Sequence, residues 1–255
     1  MCYNNSMKYL IIGDVHGVYA PFKRAVDYAR ENDLHLISVG DLIDNGPDGY
    51  KIVSDMNDLV KDSKASMVWG NHEWKIHRWI LGNPVQLGPP NLVTTDEMET
   101  NQDFIEVFVE LMQTAQDFIR LGDSIYITHA GMNPDYWNRL TDVLSKTDKK
   151  FMKFGNTDPT QGEYPYRGQV YPVREYSWTK EIPQDVTLFV GHDPRPMVGI
   201  PDFDNFQDSP ETIKSDKGGR TIFLDCGAGK GGNLYGAVVN KDTPSKVKLI
   251  DFGNE

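Results

Sequence analysis

Apolar runs in this sequence end repeatedly in side chains that can bind a metal ion. The first run, residues 7–12, is followed by Gly13-Asp14-Val15-His16-Gly17. Because side chains alternate along an extended segment, Asp14 and His16 leave it on the same side. Such a pair is half of a metal site, or else it caps the helix that follows. Taken alone, the pair leaves both interpretations open.

Four later apolar runs end in the same kinds of side chain. They offer, in chain order, Asp41 with Asp44, Asn71 with His72, His129, and His192. Each has a simpler explanation: Asp41 and Asp44 fit helix N-caps, and Asn71 fits a turn. A lone His129 or His192 is also typical of a buried, hydrogen-bonded histidine. Caps alone do not require histidine or place it repeatedly on one edge, so the recurrence favours a metal site.

The spacing of these runs predicts how the fold positions them. Strands are predicted at residues 7–12, 34–39 and 65–69, with amphipathic helices at 21–33 and 48–60 between them. This alternation is typical of right-handed βαβ units and a largely parallel sheet. Ligands of such sheets collect beyond the carboxyl ends of the strands, where the polar turns would meet.

The rest of the chain carries weaker patterns. The sequence predicts a long, interrupted helix at 97–121, strands at 124–128 and 187–190, and an irregular region at 133–178 with one helix near 136–146. It further predicts a polar loop at 201–219 and closing antiparallel strands at 221–224, 234–240 and 247–252. Because no linker or repeat interrupts the chain, we expect a single domain over residues 1–255, with a loose terminus at 1–6.

Composition and charge narrow the function classes. The chain of 255 residues has a formal net charge of −11, which argues against wrapping of duplex nucleic acid. A small cationic pocket for one phosphate group stays open, especially where metal ions supply the charge. Two cysteines, Cys2 and Cys226, cannot form a disulfide framework. With no membrane-spanning run and no signal-peptide core, we expect a cytoplasmic protein without a membrane partner.

Five sequence blocks resemble those of the calcineurin-like metallophosphoesterases: GDVHG, GDLIDNG, GNHE, THAG and GH. Longer stretches are similar to the phosphatase module of bacterial polynucleotide kinase–phosphatases; they are GNHEWKIHRWILGN at 70–83, FGNT at 154–157, YPVREYSW at 171–178 and IFLDCG at 222–227. The resemblance implies an α/β fold in which a two-sheet β-sandwich is flanked by helices. The glycine-rich segment 227–232 lacks Ser or Thr after Lys230, so we interpret it as a hairpin turn rather than a phosphate loop.

The resemblance also implies a site with two metal ions. Its ligands would be Asp14, His16 and Asp41 for one ion, and Asp41, Asn71, His129 and His192 for the other. Mixed oxygen and nitrogen ligands favour two divalent transition-metal ions, with Mn²⁺ preferred and Ni²⁺, Fe²⁺ or Zn²⁺ as alternatives. His72 would be the general acid, held in orientation by Asp44.

One position departs from the family pattern. The residue after the last Asp of the second block is commonly an arginine that grips the substrate phosphate, and here it is Asn45. Another cation could replace the arginine, and the candidates are Arg78, Arg174, Arg195 and Lys75. Alternatively, the enzyme handles phosphodiesters relatively well, because a diester carries one negative charge fewer than a monoester.

Together with the resemblance, these patterns predict a metal-dependent phosphatase and phosphodiesterase acting on nucleotides or RNA termini, such as 2′,3′-cyclic or 2′-phosphate ends. The alternatives are a diadenosine tetraphosphate hydrolase, a Ser/Thr protein phosphatase, and a degenerate module that binds nucleotides without turnover. Aromatic residues of the irregular region could stack on a base or pack the region onto the core; they are Tyr164, Tyr166, Tyr171, Tyr176 and Trp178. The pattern leaves the oligomeric state open.

Overall fold

The first apolar run forms strand β1 (Lys8–Ile12), whose two faces pack into two different cores. Leu10 and Ile12 lie in a core that also contains side chains of the helices, whereas Tyr9 and Ile11 face a second sheet. This division follows from the two-residue period of a strand. The computed structural model describes residues 7–139, 143–166, 169–194 and 207–254.

The described elements include fourteen strands and seven α-helices. The further strands are β2 (His35–Ser38), β3 (Ala65–Met67), β4 (Ile119–Leu121), β5 (Ile125–Ile127), β6 (Asn156–Thr157), β7 (Glu163–Tyr166), β8 (Gln169–Pro172), β9 (Arg174–Glu175), β10 (Thr187–Val190), β11 (Glu211–Lys214), β12 (Arg220–Phe223), β13 (Tyr235–Asn240) and β14 (Val247–Asp251). The helices are α1 (Tyr19–Glu31), α2 (Gly49–Lys61), α3 (Asn71–Ile80), α4 (Pro89–Thr100), α5 (Phe104–Met112), α6 (Pro134–Trp137) and α7 (Lys146–Phe154).

Two five-stranded sheets form the centre of the fold. The first has the order β14-β13-β1-β2-β3, and the second has the order β11-β12-β10-β5-β4. β1, β2 and β3 are parallel, as predicted, and β5, β10 and β12 form a second parallel set. Apolar side chains of both sheets share one core, while helices cover the outer faces. The predicted two-sheet β-sandwich flanked by helices is therefore confirmed.

The predictions for the middle of the chain need correction. Residues 97–121 do not form one long helix: α4 ends at Thr100, α5 follows, and Ile119–Leu121 pairs with β5 as strand β4. Strand pairing prevails there over the helical pattern. The single helix predicted near 136–146 is also wrong, because α6 ends at Trp137, α7 begins at Lys146, and the described residues between them, 138–139 and 143–145, are not helical. No helix within the described ranges is long and apolar enough to cross a membrane.

The closing strands differ from the prediction in two respects. β12 runs parallel to β10 and antiparallel to β11, a strand that lies inside the predicted loop 201–219. Segment 227–232 is not a hairpin turn, since β12 belongs to the second sheet and β13 to the first. This segment instead carries the chain between the two sheets, next to the polar strand ends.

Candidate metal centre

The end of β1 and the end of β2 bring three predicted ligands together. His16 Nε2 lies 4.0 Å from Asp14 Oδ2 and 3.9 Å from Asp41 Oδ2. All three side chains are buried. A carboxylate, an imidazole and a second carboxylate thus converge on one small volume, which is suited to a divalent cation.

The ends of β5 and β10 add a second group around the same aspartate. His129 Nε2 lies 3.4 Å from Asp41 Oδ2 and 2.8 Å from Asn71 Oδ1. His192 Nδ1 lies 2.6 Å from Asn71 Oδ1 and 3.1 Å from His129 Nε2. Ligand atoms of Asp41, His129 and His192 all lie within 4.8 Å of one another. The structure therefore places the other five predicted ligands near Asp41.

Hydrogen bonds to the backbone orient two of the imidazoles. His16 Nδ1 is 3.1 Å from the carbonyl oxygen of Ile43, and His129 Nδ1 is 2.8 Å from that of Val39. Because a carbonyl only accepts, each Nδ1 carries the proton and donates it. The lone pair then lies on Nε2, which faces the acidic side chains. Histidine ligands of metal sites are commonly held in this way.

Buried polar atoms without partners test whether a cation fits this site. Among the described residues, Asp14 Oδ1 and His192 Nε2 are buried with no hydrogen-bond partner. Burial raises the pKa of Asp14 well above its usual value, and the Asp225 and Asp41 carboxylates raise it further. A divalent cation would supply the positive charge that these crowded carboxylates need. The donor set therefore fits a metal ion.

Asp225 is a site neighbour that our sequence interpretation did not identify as functional. It follows β12 and is fully buried, with Oδ1 accepting the Gly227 N–H at 2.9 Å. Its Oδ2 has no hydrogen-bond partner among the described residues. The available signal was the same as for Asp14, namely a carboxylate directly after an apolar run.

Two glycines allow the strand ends to approach so closely. A Cβ at Gly191 would lie 1.9 Å from Asp14 Oδ1, and a Cβ at Gly70 would lie 2.3 Å from Asp41 Oδ1. Any larger residue at either position would displace a carboxylate of the site.

The backbone itself is strained at the site. His16, Asp41, Asp44 and His192 have φ angles of 49°, 52°, 72° and 72°, in the left-handed region. Residues other than glycine adopt this conformation rarely, and such residues concentrate at functional sites. The strained conformations aim these side chains toward a common point beyond the strands.

Glu73 positions the loop that carries Asp41. Its buried carboxylate accepts the backbone N–H groups of Asp41 at 2.9 Å and Leu42 at 2.7 Å. The sequence block GNHE contained this residue, but only the tertiary structure shows what it binds. Glu73 thus acts on Asp41 through the backbone.

His72 lies at the start of α3 with its ring facing the centre. His72 Nδ1 is 2.5 Å from Asp44 Oδ2, and His72 Nε2 is 3.8 Å from Asp41 Oδ2. Burial by itself lowers the pKa of His72, but the Asp41 and Asp44 carboxylates outweigh it and raise the pKa to about 9. Because a carboxylate only accepts, Nδ1 carries a proton and donates it to Asp44.

Helix α4 holds Asp44 in place, a role that the sequence did not reveal. The Thr94 hydroxyl donates to Asp44 Oδ1 at 2.5 Å, and Asn91 Nδ2 donates to Asp44 Oδ2 at 2.5 Å. The Asp44 N–H in turn donates to Thr94 Oγ1 at 3.0 Å. Three side chains, including His72, therefore donate to this buried carboxylate.

The predicted substrate-binding cations differ in how close they lie to the predicted metal ligands and to Asp44. Arg174 lies close enough to His192 that its charge, after burial, helps to lower the pKa of that imidazole. Burial lowers the pKa of Lys75, and the Asp44 carboxylate opposes this shift. Arg78 is exposed near the end of α3, and Arg195 lies outside the described residues.

Arg174 is already engaged by the protein. Its Nη1 donates to the carbonyl oxygen of Phe154 at 2.8 Å, and its Nε lies 3.2 Å from Asp193 Oδ2. A guanidinium with two protein partners has fewer N–H groups left for a phosphate.

Two of the predicted aromatic residues, Trp178 and Tyr176, contact other side chains of the protein. Trp178 is 2% exposed and packs against Phe151 and Phe223, so the packing alternative is correct for this residue. The Tyr176 hydroxyl donates to Asp193 Oδ2. The side chains of Tyr164, Tyr166 and Tyr171 lie outside the part of the chain that the structure describes.

Comparison with known proteins agrees with this fold. Residues 7–223 match the family model for calcineurin-like phosphoesterases, and the chain belongs to this family. A bis(5′-nucleosyl)-tetraphosphatase PrpE [asymmetrical] of Anoxybacillus flavithermus is 32% identical over 74% of this chain and 79% of its own length. The protein of the same name from Geobacillus sp. (strain WCH70) is 31% identical over 96% of this chain and 97% of its own.

Solved structures extend the comparison to the fold alone. A Saccharomyces cerevisiae protein serine/threonine phosphatase has a TM-score of 0.56 at 13% identity, covering 99% of this chain and 81% of its own. A metallophosphoesterase from Sphaerobacter thermophilus has a TM-score of 0.53 at 17% identity, covering 98% and 90%. With the family match and the phosphatase relatives, the chain is a metal-dependent phosphoric ester hydrolase.

Proposed function

We propose that this protein is a binuclear-metal hydrolase of nucleotides, with bis(5′-nucleosyl) tetraphosphates as its first substrate class. The observation that carries the proposal is that the Asp41 carboxylate belongs to two groups of potential metal ligands, one with His16 and His72 and the other with His129 and His192. The names of the relatives from Anoxybacillus and Geobacillus support the choice of substrate over RNA ends.

The residues at the strand ends would hold the two cations. Asp14, His16 and Asp41 would bind one ion, and Asp41, Asn71, His129 and His192 would bind the other. Their mixed oxygen and nitrogen donors favour divalent transition metals, with Mn²⁺ as our first choice. When bound, two such ions would activate water as a nucleophile and neutralise charge on the phosphoryl oxygens.

His72 would supply the proton for the leaving oxygen. Its Nδ1 is held by Asp44, so Nε2 is the nitrogen that faces the centre. Protonation of the leaving oxygen matters most when that oxygen would otherwise depart as a strong base. Asp44 both orients the ring and stabilises its positive charge.

RNA ends and other phosphodiesters form a second candidate class. Asn45 favours this class. Where a neutral amide stands in place of an arginine, a singly charged diester loses less binding energy than a doubly charged monoester. A Ser/Thr protein phosphatase shares the fold, but that likeness carries no information on substrate. A nucleotide-binding module without turnover would have no need of the Asp44–His72 pair.

A substrate panel tests the proposal. Purified protein is loaded with Mn²⁺, Ni²⁺, Fe²⁺ or Zn²⁺, its metal content is measured, and hydrolysis of four substrates is compared. The panel is diadenosine tetraphosphate, a 2′,3′-cyclic nucleotide, an RNA with a terminal phosphate, and a phosphopeptide. We expect the tetraphosphate to give the highest kcat/KM. A higher value for the cyclic nucleotide or RNA would establish the second candidate instead.

Variants of helix α3 separate catalysis from folding. We expect His72→Asn to retain its metal and lose about 10²-fold or more in kcat. His77→Asn is the matched control, because His77 lies on the same helix and contacts the Trp69 ring rather than Asp44. Tight nucleotide binding without hydrolysis by the metal-loaded wild type would identify a binding module and refute the hydrolase.

A further inference from the structure

The missing arginine leaves open which cation binds the substrate phosphate. Of the predicted candidates, Arg174 is engaged by Asp193 and by the Phe154 carbonyl, and Arg78 is exposed. The described part of the site contains a further lysine that none of those candidates included. This residue is Lys230, on the segment that joins the two sheets.

The backbone brings Lys230 to the edge of the site. Gly229 packs so closely on the centre that a Cβ there would lie 2.5 Å from His16 Cβ and 3.4 Å from Asn45 Cβ. Gly229 has a φ of 74°, which a residue with a side chain adopts only with strain. The Lys230 N–H donates to the Gly227 carbonyl at 2.9 Å and closes the turn. Lys230 therefore directly follows, in the chain, a glycine that packs against both His16 and Asn45.

The charge of Lys230 is felt by a buried carboxylate beside the site. Its ammonium opposes the burial-driven rise of the Asp225 pKa, so it lies close to that buried carboxylate. Lys230 is only half-buried, and it forms no ion pair with any residue that the structure describes. A cation this close to carboxylates, yet unpaired, is available to an anionic ligand.

Asn45 offers the second donor. Its Nδ2 is buried and has no hydrogen-bond partner among the described residues. The Cβ atom of Asn45 lies on the same side of Gly229 as His16, because a Cβ on that glycine would touch both residues. An unsatisfied buried N–H group is costly, which is explained if a bound ligand accepts from it.

We propose that Lys230 and Asn45 together bind the phosphoryl group that is attacked, Lys230 as the charge and Asn45 as the neutral donor. This inference rests on the proposed function of the site. An ammonium on a flexible stem acts as a point charge, so it can follow phosphoryl oxygens in esters and anhydrides of different shape. Lys230 and Asn45 would together supply the positive charge and the hydrogen-bond donors that a single arginine would supply.

Binding of inorganic phosphate to the Mn²⁺-loaded protein tests the pair by calorimetry. We expect Lys230→Met to weaken phosphate binding about tenfold, since a charge-assisted hydrogen bond is lost. Lys230→Arg should keep the affinity within about threefold, because the charge is retained. Lys241→Met is the matched control: Lys241 is exposed in the turn after β13, at the opposite end of that strand from the site.

Two further measurements make the inference easy to overturn. Asn45→Arg introduced into Lys230→Met should restore phosphate affinity, because the arginine replaces both donors. Unchanged phosphate affinity in Lys230→Met, with tighter Mn²⁺ binding, would show that Lys230 only balances the carboxylates, and would refute the inference. Failure of the proposed function is a separate result, since it would appear as a wild-type protein that binds phosphate but hydrolyses no ester.

Discussion

The support that helix α4 gives to Asp44 leads to a sharp prediction about Thr94. Thr94→Val keeps the shape of a fully buried side chain but removes the hydroxyl that donates to Asp44 Oδ1 at 2.5 Å. It also leaves the Asp44 N–H without its acceptor at 3.0 Å. Asp44 would then be held less firmly and would orient His72 less well, although the metal ligands are untouched.

The size of the effect follows from the hydrogen bond that is lost. A hydrogen bond to a charged group contributes about 1.5–3 kcal/mol, and each 1.4 kcal/mol corresponds to about tenfold in rate. Transfer of this whole loss to the transition state would lower kcat by about tenfold to a hundredfold. The loss should be large for phenyl phosphate and small for p-nitrophenyl phosphate, because the nitrophenolate leaves without needing a proton.

The assay compares kcat for these two esters, with metal content and thermal unfolding measured alongside. Thr94→Ser should restore activity, because it returns the hydroxyl. Thr95→Val is the control, since Thr95 is also buried on α4 but donates to the Leu92 carbonyl at 3.1 Å. Equal slowing of both esters, or none, would refute the positioning role of Thr94 even if the variant folds normally.

Three further predictions address the pH dependence, the close packing and the substrate preference. kcat should fall as the pH rises above the pKa of His72. This pKa is about 9 without bound cations and lower with them. In His72→Asn, the fall in kcat at alkaline pH should be absent. Gly191→Ala should weaken Mn²⁺ binding at least about tenfold, because its Cβ would lie 1.9 Å from Asp14 Oδ1; normal metal content would contradict this. Asn45→Arg should raise monoester over diester hydrolysis, and an unchanged ratio of p-nitrophenyl to bis-p-nitrophenyl phosphate cleavage would remove the diester hypothesis.

The local sequence was sufficient where each signal is short-range. β1 was predicted at residues 7–12 and is Lys8–Ile12, and the strand at 187–190 was predicted with its observed bounds. Apolar runs of this kind are buried whatever their partners are, and a polar turn must follow when the run ends. The six predicted ligands could be named for the same reason, with the family resemblance supplying their grouping. The single domain and the cytoplasmic location stay predictions.

The sequence was insufficient where an element depends on its partner. Residues 119–121 look helical by pattern but form β4, because β5 offers backbone hydrogen bonds. β11 has a polar sequence and still forms a strand at the edge of the second sheet. The direction of β12 was wrong for the same reason, since no local feature of a strand states which neighbour it will join.

The amino-acid sequence alone determined which chemistry this protein carries: carboxylates, imidazoles and an amide at the ends of buried strands. Only the tertiary structure decided which further residues serve that chemistry. Thr94 lies 50 residues from Asp44, and the His192 N–H donates to Asp14 across 178 residues. Contacts over such separations leave no periodic or compositional trace, because they arise only when two sheets pack and bring distant loops to one edge.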